Sequence, residues 1–242
     1  MKRSTLLSLL VLLVLIPGTL YLGTRLTGKM YYLTSTLVIL ETMLPFFLRF
    51  EARKPKAREL VLLAVMCALA TASRLLILIP DFKPITAIVM LTGIALGAEA
   101  GFLTGAVSAF ASNFFFSQGP WTPWQMMAYG VGGFLAGLLF YRKNPRPDTG
   151  KKRPFILAAF GFFAILLVVG PLLDCTTLFT TGTKITWKFA LAVFTVGLPH
   201  NLLHGVGCAA TLLLLTRPLL NKLERLKVKY GILDTDGKEN TL

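Results

Sequence analysis

Apolar residues run along the chain in eight blocks, at 5–22, 30–48, 59–80, 84–98, 101–117, 122–141, 154–174 and 187–216. Short breaks of Pro, Gly and charge separate the later blocks: PDFKP, GAEAG, SQGPWTP, RKNPRPDTGKKRP and TTGTKITW. A bilayer core of about 30 Å takes roughly 20 helical residues to cross, and several blocks approach or exceed that length. The pattern predicts eight helices. The blocks at 84–98 and 101–117 are short for a span, so they are expected to be tilted, kinked or shielded by neighbours, or to form one re-entrant pair.

Composition decides the solvent. With 55% hydrophobic and 15% charged residues and a mean hydropathy of +0.69, the chain is too apolar for an ordinary soluble domain. The expected fold class is an all-α integral membrane protein. The first block follows Lys2 and Arg3 but lacks a small-x-small cleavage site, and the next block follows within a few residues. It reads as an uncleaved anchor in preference to a secretory signal.

A net charge of +14 would point to nucleic acid in a soluble protein. Here the charge is distributed by membrane side. With both termini in the cytoplasm, the inner segments carry Lys2 and Arg3, then Arg49 to Arg58, Arg142 to Arg153, and Arg217 to Lys238. The outer side holds only Arg25, Lys29, Lys83, Lys184 and Lys188, with Arg74 near a helix end. By the positive-inside rule this fixes the orientation, in a multi-pass protein of the bacterial plasma membrane, and places PDFKP and SQGPWTPW on one outer face. No role with nucleic acid is expected.

Cys67, Cys175 and Cys208 are odd in number and form no C-x-x-C pair, which supports neither a disulfide framework nor a metal cluster. The tail after Arg217 is basic and then polar, as expected of a solvated helix end lying along anionic lipid. No segment is long enough for a nucleotide-binding domain, and no G-x-x-x-x-G-K-S/T motif is present. Any energy from ATP must come through another chain, and this one is expected to bind no cofactor or metal.

The segment SNFFFSQGPWTPWQMM, 112–127, carries the most distinctive chemistry. Trp121 and Trp124 offer broad amphipathic surfaces, while Asn113, Gln118, Thr122 and Gln125 offer uncharged donors and acceptors. Pro120, Pro123 and Gly119 shape a stiff turn. Such a set suits a ligand with an apolar ring system and amide or hydroxyl groups; interfacial anchoring is the alternative role for the tryptophans. Arg74 either snorkels to the outer interface or turns inward to Asp81, Asp174 or a ligand acceptor. Lys83 lies on the first outer loop of the core, where solvation is its default.

His200 and His204 are four apart and share a helical face, with Asn201 beside them and Pro199 freeing a nearby carbonyl. Packing, ligand hydrogen bonding and, least of all, metal ligation are open to them. Ala64, Ala68 and Ala72 recur every four residues on one face, which permits close helix approach, either inside this chain or against another subunit.

Catalysis has little support: there is no G-x-S-x-G elbow, H-E-x-x-H pair or close carboxylate dyad. Glu41 and Glu99 are single acids in or at the edge of apolar blocks. The contrasting possibilities are a membrane enzyme using His200 and His204 with Asp174, and an assembly scaffold without small-molecule cargo.

The alanine-spaced helix preceded by basic residues, the outer IPDFKP connection and LTGIALGAEAGFLTGAVSAFASNFFFSQGPWTPWQMMAYGVGGFLAGLLF together resemble the substrate-binding S component of an energy-coupling factor (ECF) vitamin transporter. The resemblance covers about residues 59–217. It implies a six-helix core over 53–217, two additional transmembrane helices in 1–52 and a cytoplasmic tail over 218–242. It also implies capture of a vitamin or related micronutrient at the outer face. The partners would be a transmembrane coupling protein and two cytoplasmic ATPase subunits, and the S component would topple in the bilayer to carry its ligand inward. By the same resemblance Ala64, Ala68 and Ala72 meet the coupling protein, the Lys83 loop gates, and the outer loops close over the ligand. The overall likeness is to S components assigned to cobalamin, and a large amide-rich corrinoid would suit an uncharged aromatic pocket. A smaller vitamin or a modified-base precursor would suit the same residues.

Overall fold

A computed structural model describes residues 10–16, 18–19, 31–76, 79–141, 152–181 and 185–232. The basic residues Lys2, Arg3, Arg25, Lys29, Arg142, Lys143, Arg146, Lys151, Lys184 and Lys238 lie outside the described residues. So does most of the first apolar block, of which a short π-helical piece, Val11–Leu15, is described.

Within the described residues the chain is helical throughout its regular structure. Helix α1 is Tyr31–Ala52, α2 Ala57–Leu76, α3 Ile85–Leu96, α4 Ala98–Phe116 and α5 Thr122–Phe140. Helix α6, Arg153–Ala164, passes through a π-helical turn, Ile165–Val169, into α7, Gly170–Thr180, and α8 is Trp187–Tyr230. Three stretches are long and apolar enough to cross a membrane: Ala57–Leu76, Arg153–Thr180 and Trp187–Tyr230. The protein is an all-α membrane protein, as its hydropathy predicts.

Helix α3 resolves the question of the short blocks. Its 12 residues span only about 18 Å, and every one of them is buried. It is a central helix shielded by α2, α4, α5 and α8, so its neighbours rather than lipid cover its ends. A single residue, Gly97, separates it from α4, with φ +105, a backbone conformation that side chains with a Cβ rarely adopt.

Glycines set the spacing of α3, α4 and α5. A Cβ on Gly133 would lie 2.5 Å from the Gly101 carbonyl oxygen, and one on Gly101 would lie 2.5 Å from that of Gly133. Gly93 of α3 meets the same Gly133 carbonyl. In lipid, where apolar surface gains nothing by leaving one apolar medium for another, backbone contact of this kind supplies the van der Waals packing that holds helices together.

Helix α1 lies against the core rather than apart from it. Phe46 stacks on Phe102 of α4 with ring centroids 3.9 Å apart and meets Phe134 of α5 edge-on. Ile39 and Met43 join the same cluster as Trp124. Glu41, on the same helix, accepts a hydrogen bond from Thr19 at 2.5 Å.

The tail differs from a solvated one. Helix α8 continues through Pro199 and Pro218 to Tyr230, so the expected boundary at 217 falls inside a helix. Leu220, Leu223 and Ile232 are buried, and Lys227, itself buried, donates to the Ala95 carbonyl at 2.7 Å. Lys56 and Arg58 reach the carbonyls of Gly231 and Tyr230, where cations suit the negative end of a helix. Glu99 lies 3.7 Å from Arg53, which also pairs with the buried Glu59 at 3.0 Å.

Candidate functional site

The C-terminal ends of α2 and α4 and the N-terminal end of α5 bury a polar network. Arg74 comes up α2 with 7% of its surface exposed. One guanidinium nitrogen donates to Ser112 Oγ at 2.5 Å and to Asn113 Oδ1 at 2.9 Å, and the cation sits 4.9 Å from the Phe116 ring centroid. Asn113, 1% exposed, passes the network on. Its amide donates to Thr122 Oγ1 and to Gln125 Oε1, each at 2.9 Å.

Arg74 therefore turns inward, but not to the carboxylates the sequence offered. Asp81 binds His200 Nδ1 at 2.7 Å and lies 3.9 Å from Lys83, while Asp174 accepts from Asn201 Nδ2 at 2.7 Å. Among the described residues Arg74 has only neutral hydrogen-bond partners.

The turn between α4 and α5 is built by its own side chains. Thr122 Oγ1 accepts from the Gly119 amide at 3.2 Å and donates to Gln118 Oε1 at 2.9 Å. Gln118 in turn donates to the Phe110 carbonyl at 3.0 Å. Gln118 and Trp121 are exposed, and the Trp121 ring covers Gly119. These two shape the turn and do not join Asn113 in the interior. Trp124 does go inward. It is buried and stacked on Phe179 of α7, 5.2 Å between centroids and 14° between planes. Among the described residues its indole nitrogen has no hydrogen-bond partner.

A second polar group lies where α3, α5, α7 and α8 meet. His204 is buried and its Nε2 lies 3.0 Å from Thr86 Oγ1, with the Tyr129 ring edge-on at 6.2 Å. His200, one turn towards the outside, stays on the same face, as the four-residue spacing requires, but emerges to 63% side-chain exposure and pairs with Asp81. Asn201 is buried because glycines make room for it and its partner. A Cβ on Gly170 would strike the Asn201 amide, and one on Gly197 would strike the Asp174 carboxylate. Gly207 likewise lets Phe82 of the outer loop lie against α8.

The residues that sequence reading passed over are Ser112, Thr86, Tyr129 and Phe179. Ser112 and Phe179 carry no local signal, since each is one small or aromatic side chain among many. Thr86 and Tyr129 are polar positions inside otherwise apolar, Gly-rich helices, and that contrast was available in the sequence.

The alanines of α2 lie on the opposite side. Ala64 and Ala68 are exposed and Ala72 is half-buried, while Leu62, Leu63, Met66 and Ala70 face the core. Ala64 and Ala68 thus belong to a free face, with Ala72 at its edge.

The arrangement can bind and orient. Guanidinium, amide and hydroxyl groups form one network across α2, α4 and α5, and an imidazole and a hydroxyl meet between α3 and α8. Comparison with known proteins gives no match among curated proteins and none among solved structures. Residues 54–224, however, match the family model described as ECF-type riboflavin transporter, S component. That span includes every polar residue of the outer network, the alanine face and the glycine seam, and the chain belongs to this family of ECF transporter S components.

Proposed function

We propose that the protein captures riboflavin, or a flavin close to it, at the outer face of the bacterial plasma membrane and hands it inward in an ECF importer. The observations that carry this reading are the network of buried Arg74, Asn113 and Thr122 with half-buried Gln125, and the Trp124–Phe179 stack. A flavin is a flat fused ring with an imide edge that alternates acceptors and a donor, followed by a chain of hydroxyls. The stack offers the ring a face, the amides and guanidinium complement the imide edge, and His204, Thr86 and Asn201 suit hydroxyls.

The family match favours a flavin over a corrinoid. The polar groups meet one another at hydrogen-bond distance across the outer end of the bundle, and a corrinoid would have to drive those helices apart.

The exposed Ala64 and Ala68 support a docking face for a transmembrane coupling protein, with two ATPase subunits hydrolysing ATP on the cytoplasmic side. The reading assigns this chain binding and delivery, with no reaction of its own, and both termini in the cytoplasm. Titration calorimetry of the detergent-solubilised protein with riboflavin and with cobalamin tests it. Stoichiometric riboflavin binding that is lost in Trp124→Ala and absent for cobalamin is expected. Binding of cobalamin alone, or of neither, would overturn the flavin assignment.

A further inference from the structure

Far from the outer network, on the cytoplasmic side, the structure holds a groove of about 470 Å3. Val61, Leu62 and Val65 of α2 form one wall, and Leu226 and Ile232 the other. Val61 and Val65 are more than half exposed, so the groove opens sideways to the surroundings of α2 and is not sealed within the bundle.

Its polarity is graded along the membrane normal. Arg58 and Tyr230 line it at the cytoplasmic end, where Arg58 reaches the Tyr230 carbonyl at 3.4 Å. Seven residues further along α2, about 10 Å deeper into the bilayer, Val65 lines it with hydrocarbon. On the adjoining exposed stripe of α8, Lys222, Arg225 and Lys229 follow at helical spacing, and Lys54 and Lys56 precede Arg58.

The geometry points to a binding site for an anionic phospholipid of the inner leaflet, its acyl chain along Val61 and Val65 and its phosphate at Arg58. Three features agree on this occupant. The apolar part lies at acyl-chain depth and the cation at headgroup depth, in the order that an inner-leaflet lipid presents them. The rim is basic without an acidic residue lining the groove, which is charge complementarity for phosphate and not for a second copy of this cationic surface. The volume falls in the roughly 300–1,000 Å3 range of small-molecule sites. The proposal stands independently of the vitamin bound outside.

Native mass spectrometry of the full-length protein, titrated with phosphatidylglycerol and separately with phosphatidylcholine, tests it. The wild type is expected to retain one phosphatidylglycerol several-fold more readily than phosphatidylcholine. Val61→Trp, which fills the groove, should lose that adduct, and Arg58→Gln, an exposed change that leaves the fold intact, should bring the two lipids to equal retention. Equal retention by the wild type, or a phosphatidylglycerol preference untouched by Arg58→Gln, overturns the proposal. Lipid retention that survives Val61→Trp while capture of the coupling protein is lost would assign the groove to a protein helix instead.

Discussion

Arg74 of α2 and Asn113 of α4 meet at 2.9 Å, a buried cation held by a neutral amide. The pair joins two helices whose sequence positions are 39 apart and hands the contact on to α5 through Thr122 and Gln125. Arg74→Ala removes the donor from Asn113 Oδ1 and Ser112 Oγ and leaves both buried. A loss of about 1–3 kcal/mol is expected from the unmet groups, read as a lower unfolding temperature in detergent, together with weaker riboflavin binding in the same preparation. An unchanged unfolding temperature and unchanged binding would show that the network is incidental.

Trp124→Ala opens a void beside Phe179 and removes the stacking face. Large-to-small changes at buried aromatic positions cost about 3–5 kcal/mol, so Trp124→Phe is the informative companion. It keeps a ring against Phe179 and removes the unpartnered indole N–H. The phenylalanine variant should fold normally, and titration calorimetry then reads how much affinity the N–H contributes.

Ala68→Trp places a bulky ring on an exposed face. Vitamin affinity should be unchanged while co-purification with the coupling protein falls, because the ring holds the two helices apart. Undiminished co-purification would remove the alanine face from the docking surface.

Gly133→Ala presses a methyl group into the Gly101 carbonyl at the α4–α5 crossing. Neither backbone can yield without separating the helices, so destabilisation at or above the usual 1–3 kcal/mol of overpacking is expected. Size-exclusion chromatography and the unfolding temperature report it. Gly18→Ala, with open space around its position, is the matched control and should change neither.

Truncation after Arg217 removes the inner third of α8, with buried Leu220, Leu223 and Lys227. The Ala95 carbonyl at the end of α3 then loses its lysine. The truncated protein should unfold at a lower temperature than Lys227→Met, which keeps the apolar contacts and loses only the hydrogen bond. Equal temperatures would mean that the tail contributes through that bond alone.

The helices were legible in the sequence and its charge bias sets an expected orientation, because each depends on local quantities. A run of apolar residues must pair its backbone internally in lipid, and basic residues stay on the side where they begin. The turn from Gln118 to Gln125 was also legible, since Pro, Gly and Trp mark it wherever it lies. Tertiary packing decided the rest. The direction of Arg74 depended on Ser112 and Asn113, and the exposure of Ala64 and Ala68 on which side of α2 its leucines and Met66 bury. The full enclosure of the 12-residue α3 depended on four neighbours, and the docking of the basic tail on a carbonyl 132 residues away. Those contacts join distant stretches of chain, and the periodicity of one helix carries no record of which side chain waits on the next.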